Sequence, residues 1–174
     1  MRITNILLRQ FARDLAGIHA ARLRLVFTAT SALLRAGKIS LTSIGRTIAV
    51  ETTQKHGIKR VDRLLGNQRL WDERREFYKA IARRLIPEAS RPVIVVDWTS
   101  LTTTMWTLTA AVSFEGRALV IYSESHPISR YLKAAVNRAF LRNLREVLPQ
   151  QCIPIIVTDA GFRSPWMKEP PVPT

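Results

Sequence analysis

The pattern of apolar positions changes near residue 90 of the chain. Before that point, apolar residues recur every three or four positions, as in amphipathic helices. After it, β-branched runs and strict alternation replace the helical period, as in strands. The pattern predicts an α/β protein, with a helical region over residues 1–90 and a sheet-containing region over residues 91–166.

Two short apolar runs in the second region each end in an aspartate. Residues 93–96 follow Pro92 and predict a central strand, buried on both faces, that ends at Asp97. Residues 153–157 predict another strand, which ends at Thr158 and Asp159. A carboxylate at the end of a buried strand is costly unless water, a partner or a metal receives it. Each aspartate is therefore either a turn cap or a metal ligand.

The residues between the two runs predict how the strands are connected. Residues 106–112 alternate between two faces, an inner one with Trp106, Leu108, Ala110 and Val112 and an outer one with Thr107, Thr109 and Ala111. Glu115 and Gly116 then turn the chain into a third strand, residues 117–123. A long amphipathic helix follows and ends at Pro149. This helix is long enough to bring the last strand parallel to the first. Asp97 and Asp159 would then share one edge of the sheet and one divalent cation such as Mg²⁺.

The charge of the chain favours polyanionic partners. Its 174 residues carry a formal net charge of +14. Residues 1–90 hold 18 basic and 7 acidic side chains, so most of the excess lies there. Nucleic acid is the first candidate partner and an anionic membrane surface the second. The single cysteine, Cys152, excludes an internal disulfide and suits a reducing cytosol, and its place just before an apolar strand predicts a small buried filler. Residues 99–114 are too polar for a membrane span, and we expect no membrane partner.

The predicted helix around Val61 separates apolar from basic side chains. Ile58, Val61, Leu64 and Leu65 form a stripe, and four basic residues lie off it, namely Lys55, Lys59, Arg60 and Arg63. An apolar face that docks and a basic face that stays open suit contacts with phosphates. The alternative is an ordinary solvated face.

Three stretches, taken in order, resemble a known group of enzymes. Residues 96–100, the succession of strands and helix, and residues 158–163 are similar to the DDE transposases of bacterial insertion sequences, within the RNase H-like superfamily. The fourth insertion-sequence family is the nearest in pattern, and residues 59–67 resemble its N-terminal DNA-binding region. The resemblance extends to about residue 168.

The resemblance implies a fold, a site and partners. The fold would be a helical DNA-binding region followed by a partial RNase H-like mixed sheet. Asp97 and Asp159 would be the first two catalytic, metal-binding carboxylates, with Mg²⁺ or Mn²⁺. Double-stranded DNA at transposon ends would be held by six residues: Lys55, Lys59, Arg60, Arg63, Asn67 and Arg163. A full-length transposase or a second copy of the chain are further candidate partners, and the location would be the bacterial cytoplasm.

The family also needs a third acid, a glutamate far beyond the second aspartate. Here the only acid after Asp159 is Glu169, within a proline-rich tail, residues 167–174, that we expect to be disordered. We therefore expect a truncated, inactive transposase that keeps DNA binding and has no third acid. Glu124, after the third strand, is the other acid considered, but a glutamate before a loop is usually just solvated. The alternatives are a non-catalytic protein that competes with full-length transposase for DNA ends, and an RNA-binding or ribonuclease-like protein.

Overall fold

The computed structural model describes residues 2–49, 53–159 and 162. The chain is a mixed α/β protein, and it divides between Ala80 and Ile81 into two compact units. The predicted division into residues 1–90 and 91–166 stays a prediction, and the predicted tail, residues 167–174, lies outside the described residues. No helix within the described ranges is long and apolar enough to cross a bilayer.

Most of the described chain up to Leu85 is helical. The helices are α1 (Arg2–Phe11), α2 (Ala20–Ala36), α3 (Leu41–Ile48), α4 (Gln54–Leu65) and α5 (Gln68–Leu85). Their ends follow from local capping. Gly37 ends α2 with a φ of 62°, which a glycine adopts without steric cost. The hydroxyl of Ser40 caps α3 by accepting from the N–H of Ser43 at 3.1 Å, and the hydroxyl of Thr53 does the same for α4.

The first unit has its own apolar core. It is built from Leu15, Ile18, Leu23, Phe27 and Ala80, with the rings of Phe11 and Phe27 packed 5.9 Å apart. Burial of these side chains holds the helices together, since short isolated helices are marginal in water.

The described residues of the second unit include a four-stranded sheet and a long helix. Its elements are β1 (Val93–Ser100), β2 (Met105–Phe114), β3 (Arg117–Pro127), α6 (Ala134–Val147) and β4 (Ile155–Thr158), and the strand order is β3-β2-β1-β4. β2 pairs antiparallel with β1 and β3, whereas β4 pairs parallel with β1. The predicted hairpin and the predicted parallel crossover through α6 are confirmed. Glu115 and Gly116 form the hairpin turn with φ values of 49° and 74°, as two-residue hairpins require.

One face of the sheet is covered by α6. The ring of Phe140 lies 5.2 Å from that of Tyr122 on β3, and Asn137 on α6 accepts a hydrogen bond from the indole of Trp98 on β1 at 3.2 Å. The buried side chains of β2 are Leu108, Ala110 and Val112, which confirms most of the predicted inner face.

The other face of the sheet is exposed, contrary to the prediction for β1. Val93 and Val95 are 48 % and 46 % exposed, so the prediction that β1 is buried on both faces is wrong. Ile155 and Val157 of β4 are also exposed, at 44 % each. An uninterrupted apolar run favours a strand, but it does not state how many faces other elements cover.

Candidate functional site

Asp97 lies on the exposed face of β1, near the middle of the sheet. The strand continues past it to Ser100, so the prediction that β1 ends at Asp97 is wrong. The cause is the pairing with β2, which extends to the pair Ser100–Trp106 and keeps the backbone extended. One carboxylate oxygen of Asp97 accepts the N–H of Trp98 at 2.8 Å, which fixes the orientation of the side chain.

Asp159 follows directly after β4, on the strand beside β1. The last register pair of the two parallel strands is Val96–Thr158, so Asp97 is the next residue of β1 and Asp159 is the first residue after β4. Paired strands are about 4.8 Å apart, so the residues that precede the two aspartates lie side by side at this spacing. The chain then turns, with the N–H of Phe162 donating to the carbonyl of Asp159 at 3.2 Å.

The two carboxylates could supply oxygen ligands for only part of the coordination shell of a metal ion. Both residues are exposed, so hydration offsets the cost of two neighbouring negative charges. Oxygen donors suit hard cations such as Mg²⁺, which keep several waters when only one or two carboxylates bind them. Among residues 2–49, 53–159 and 162, no group of three or more His, Cys, Asp or Glu side chains could hold a metal ion.

Glu124 does not join the pair. Asp97, Thr109 and Ser123 share one register row across three strands. Glu124 is the next residue along β3, so its side chain points to the opposite face of the sheet.

On that opposite face Glu124 is held by neighbours. Tyr122 donates its hydroxyl at 2.5 Å and Asn143 of α6 donates its amide at 2.8 Å, both to one carboxylate oxygen. The imidazole of His126 lies 3.1 Å from the other oxygen. These contacts hold the Glu124 carboxylate on the face of the sheet opposite Asp97, so it does not complete a metal site with Asp97.

The predicted basic face of α4 is open. Gly57, Val61 and Leu64 are buried within the first unit, whereas Leu65, the last residue of the predicted apolar stripe, is 56 % exposed, so its predicted place in the stripe is wrong. The four basic side chains predicted to contact DNA are all exposed: Lys55, Lys59, Arg60 and Arg63.

A close approach of two glycines places α4 against α3. A methyl group added at Gly57 would lie 2.1 Å from the carbonyl oxygen of Gly45, and one added at Gly45 would lie 2.5 Å from the Cα of Ile58. Only glycine fits at such a contact, so the position of the basic face depends on it.

The two remaining predicted DNA contacts, Asn67 and Arg163, stay predictions. Asn67 is half-buried between α4 and α5, and its side-chain oxygen accepts the N–H of Leu70 at 3.4 Å, which is a helix cap. Arg163 lies outside the described residues, as does Glu169.

No family model matches the chain, and comparison with curated proteins and with solved structures returned no match.

A group of hydroxyl side chains near Asp97 was not predicted from the sequence. Thr99 lies two residues further along β1, and Thr107 and Thr109 lie beside it on β2, with Ser123 and Ser125 on β3. The alternation of threonines along residues 106–112 predicts a strand, but it does not show that the neighbouring strands add hydroxyls to the same face.

Proposed function

We propose that the protein binds DNA through the basic face of α4 and uses Asp97 and Asp159 to hold a divalent cation against a phosphodiester, in the manner of a DDE transposase. The observation that carries this proposal is the parallel register of β1 and β4. It puts Asp97 on β1 and Asp159, 62 positions further along the chain, directly after the neighbouring strand β4.

The topology of the second unit supports the proposal. A hairpin, a crossover helix and a parallel fourth strand, in the order β3-β2-β1-β4, are what a partial RNase H-like sheet requires. The net charge of +14 supports a polyanionic partner.

The chemistry would depend on position and charge rather than on a protein nucleophile. A bound Mg²⁺ or Mn²⁺ stabilises negative charge on the oxygens of a reacting phosphodiester. Asp97, oriented by the N–H of Trp98, would fix one side of that ion, and Asp159 the other. The basic side chains of α4 would hold the duplex through its phosphates.

A second candidate function is DNA binding without chemistry. It is favoured by a shortage of metal ligands, because the described ranges contain no group of three His, Cys, Asp or Glu side chains that could hold a metal ion. The third acid that the resemblance requires would then be absent from the site, and the chain would compete with an active transposase for DNA.

Titration calorimetry with Mn²⁺ tests the metal site. We expect the wild-type chain to bind the ion, and Asp97→Asn and Asp159→Asn each to weaken binding at least tenfold, by the loss of one of two charged ligands. Glu115→Gln, an exposed acid in the hairpin turn, is the matched control and should bind as the wild type does. Equal binding by Asp97→Asn and the control would refute the site.

A nicking assay separates the two candidate functions. With Mn²⁺ and supercoiled plasmid, the transposase hypothesis predicts slow nicking that Asp97→Asn abolishes. The non-catalytic hypothesis predicts that plasmid is bound and left intact. Competition of bound duplex DNA by RNA of the same sequence tests the ribonuclease-like alternative, which requires RNA to be the better competitor.

A further inference from the structure

The exposed face of the sheet is divided into two chemically different halves. Toward the start of β1 it is aliphatic, with Val93, Val95 and Val120. Toward the end of β1 it carries hydroxyl groups around Asp97. The boundary runs across the strands, so it is a property of the assembled sheet and of no single strand.

The hydroxyl half consists of two rows, each crossing three strands. The first row is Asp97, Thr109 and Ser123, and the second is Thr99, Thr107 and Ser125. Each row spans roughly 10 Å, which is two inter-strand spacings. The hydroxyls of Thr107 and Ser125 lie 3.1 Å apart in a hydrogen bond, so adjacent members of a row meet on the same face.

The chemistry of these rows suits a phosphate backbone beside a metal site. Serine and threonine hydroxyls donate to phosphate oxygens and bring no charge. A lysine or arginine in their place would pair with Asp97 and compete with a cation for the carboxylate. Neutral donors avoid that competition.

We infer that the two hydroxyl rows bind the sugar–phosphate backbone of the nucleic-acid strand whose phosphodiester meets Asp97 and Asp159. The inference deepens the proposed function and rests on it. Thr107, Thr109, Ser123 and Ser125 are positioning residues for that strand, and the aliphatic half of the face takes no part.

The test uses the full chain and a fluorescein-labelled DNA oligonucleotide, with and without Mn²⁺. The variant combines Thr107→Val, Thr109→Val, Ser123→Ala and Ser125→Ala. Valine keeps the branched shape that suits a strand, so the sheet is expected to persist. The control is Ser113→Ala, which removes a hydroxyl from the same face of β2 at its far end.

The expected result is a loss of the gain in DNA affinity that Mn²⁺ produces. Losing four hydrogen bonds to phosphates weakens binding in Mn²⁺ by about tenfold or more. The slope of log affinity against log salt stays unchanged, because no charge is removed. The Mn²⁺ affinity without DNA also stays unchanged, and Ser113→Ala behaves as the wild type.

The outcomes separate this inference from the proposed function. If Asp97→Asn abolishes the Mn²⁺-dependent gain and the hydroxyl variant keeps it, the inference is wrong and the metal site stands. If Mn²⁺ gives the wild type no gain, both are wrong. If the fourfold variant melts well below the wild type, the pair Thr109→Val and Ser123→Ala, which flanks Asp97, replaces it under the same criteria.

Discussion

Cys152 shows how burial controls a single side chain. The residue is 2 % exposed in the turn before β4. Burial raises the pKa of the thiol, and nearby Arg145 only partly opposes this effect. The sequence suggested a buried filler at this position, and the burial confirms it.

The raised pKa predicts slow alkylation in the folded state. At a pH near the ordinary thiol pKa, we expect iodoacetamide to label the folded protein far more slowly than the protein in urea. The linked effect on stability has a definite sign. The free energy of unfolding is unaffected below the unfolded thiol pKa and decreases as the pH rises toward the folded one. Alkylation at equal rates with and without urea would contradict the burial.

Arg22 and Glu73 form a two-point ion pair within the first unit. The guanidinium donates from Nε at 2.6 Å and from Nη2 at 2.5 Å to the two carboxylate oxygens, which joins α2 to α5. The hydrogen bond with Glu73 raises the pKa of Arg22 above its ordinary value. A bidentate pair between two helices resists solvent more than an exposed pair within one helix.

Glu73→Gln is therefore expected to lower the melting temperature of the protein by a few degrees. The amide keeps the size of the side chain but loses the charge and one acceptor. Glu76→Gln is the matched control on the same helix, because Glu76 pairs with Lys79 in an exposed contact at 2.9 Å and should change the melting temperature little. Equal shifts in the melting temperature of the two variants, measured by circular dichroism, would show that the Arg22–Glu73 pair stabilises the protein no more than the Glu76–Lys79 pair.

At the scale of elements, the alternation of polar and apolar residues predicted which side of a strand is buried better than an unbroken apolar run did. The alternating pattern of residues 106–112 identified β2 and most of its buried face, and Glu115 with Gly116 identified the hairpin that follows. The unbroken run before Asp97 identified β1 but not its exposed side, since Val93 and Val95 are as apolar as their buried neighbours. The extension of β1 to Ser100 also escaped prediction, because it depends on partners supplied by β2.

The crossing of α3 and α4 shows the same limit. Gly45 and Gly57 are ordinary helix-weakening residues in the sequence, and their role is visible only where the two helices touch. The separation of apolar and basic residues along α4 was predicted, whereas the contact that positions the helix was not.

Gly57→Ala is expected to displace α4 or destabilise the first unit by about 1–3 kcal/mol, since the added methyl overlaps backbone atoms that cannot rotate away. DNA affinity should fall with it. Gly17→Ala is the control, because nothing lies within 4 Å of the added methyl there. Denaturant unfolding followed by a DNA-binding titration measures both effects, and a neutral Gly57→Ala would contradict the close packing.

At the scale of the whole molecule, charge is the dominant property. The excess of positive charge lies in the helical half, whereas both aspartates of the candidate site lie in the sheet. A basic half that binds and a near-neutral half that positions a cation are compatible, because a metal site tolerates few competing cations around its carboxylates.

The charge distribution predicts where salt sensitivity arises. Lys59→Ala with Arg60→Ala should reduce the slope of log affinity against log salt by about 1.8, at about 0.9 for each phosphate of duplex DNA that the protein no longer neutralises. Arg91→Ala with Arg117→Ala removes the same charge from exposed positions of the second unit and serves as the control. Fluorescence anisotropy over a range of salt concentrations measures the slopes. Identical slopes for the two double variants would mean that α4 has no privileged role in binding DNA.

The parallel pairing of β1 with β4 also has a consequence for the order of folding. The hairpin of β2 and β3 closes through two residues, but β4 reaches β1 only across 62 positions of chain that include α6. Contacts this distant in sequence form late, because the loop must close before the pairing stabilises it. Asp97 and Asp159 would therefore become neighbours near the end of folding, so a cation that needs both would act as a latch on the finished sheet.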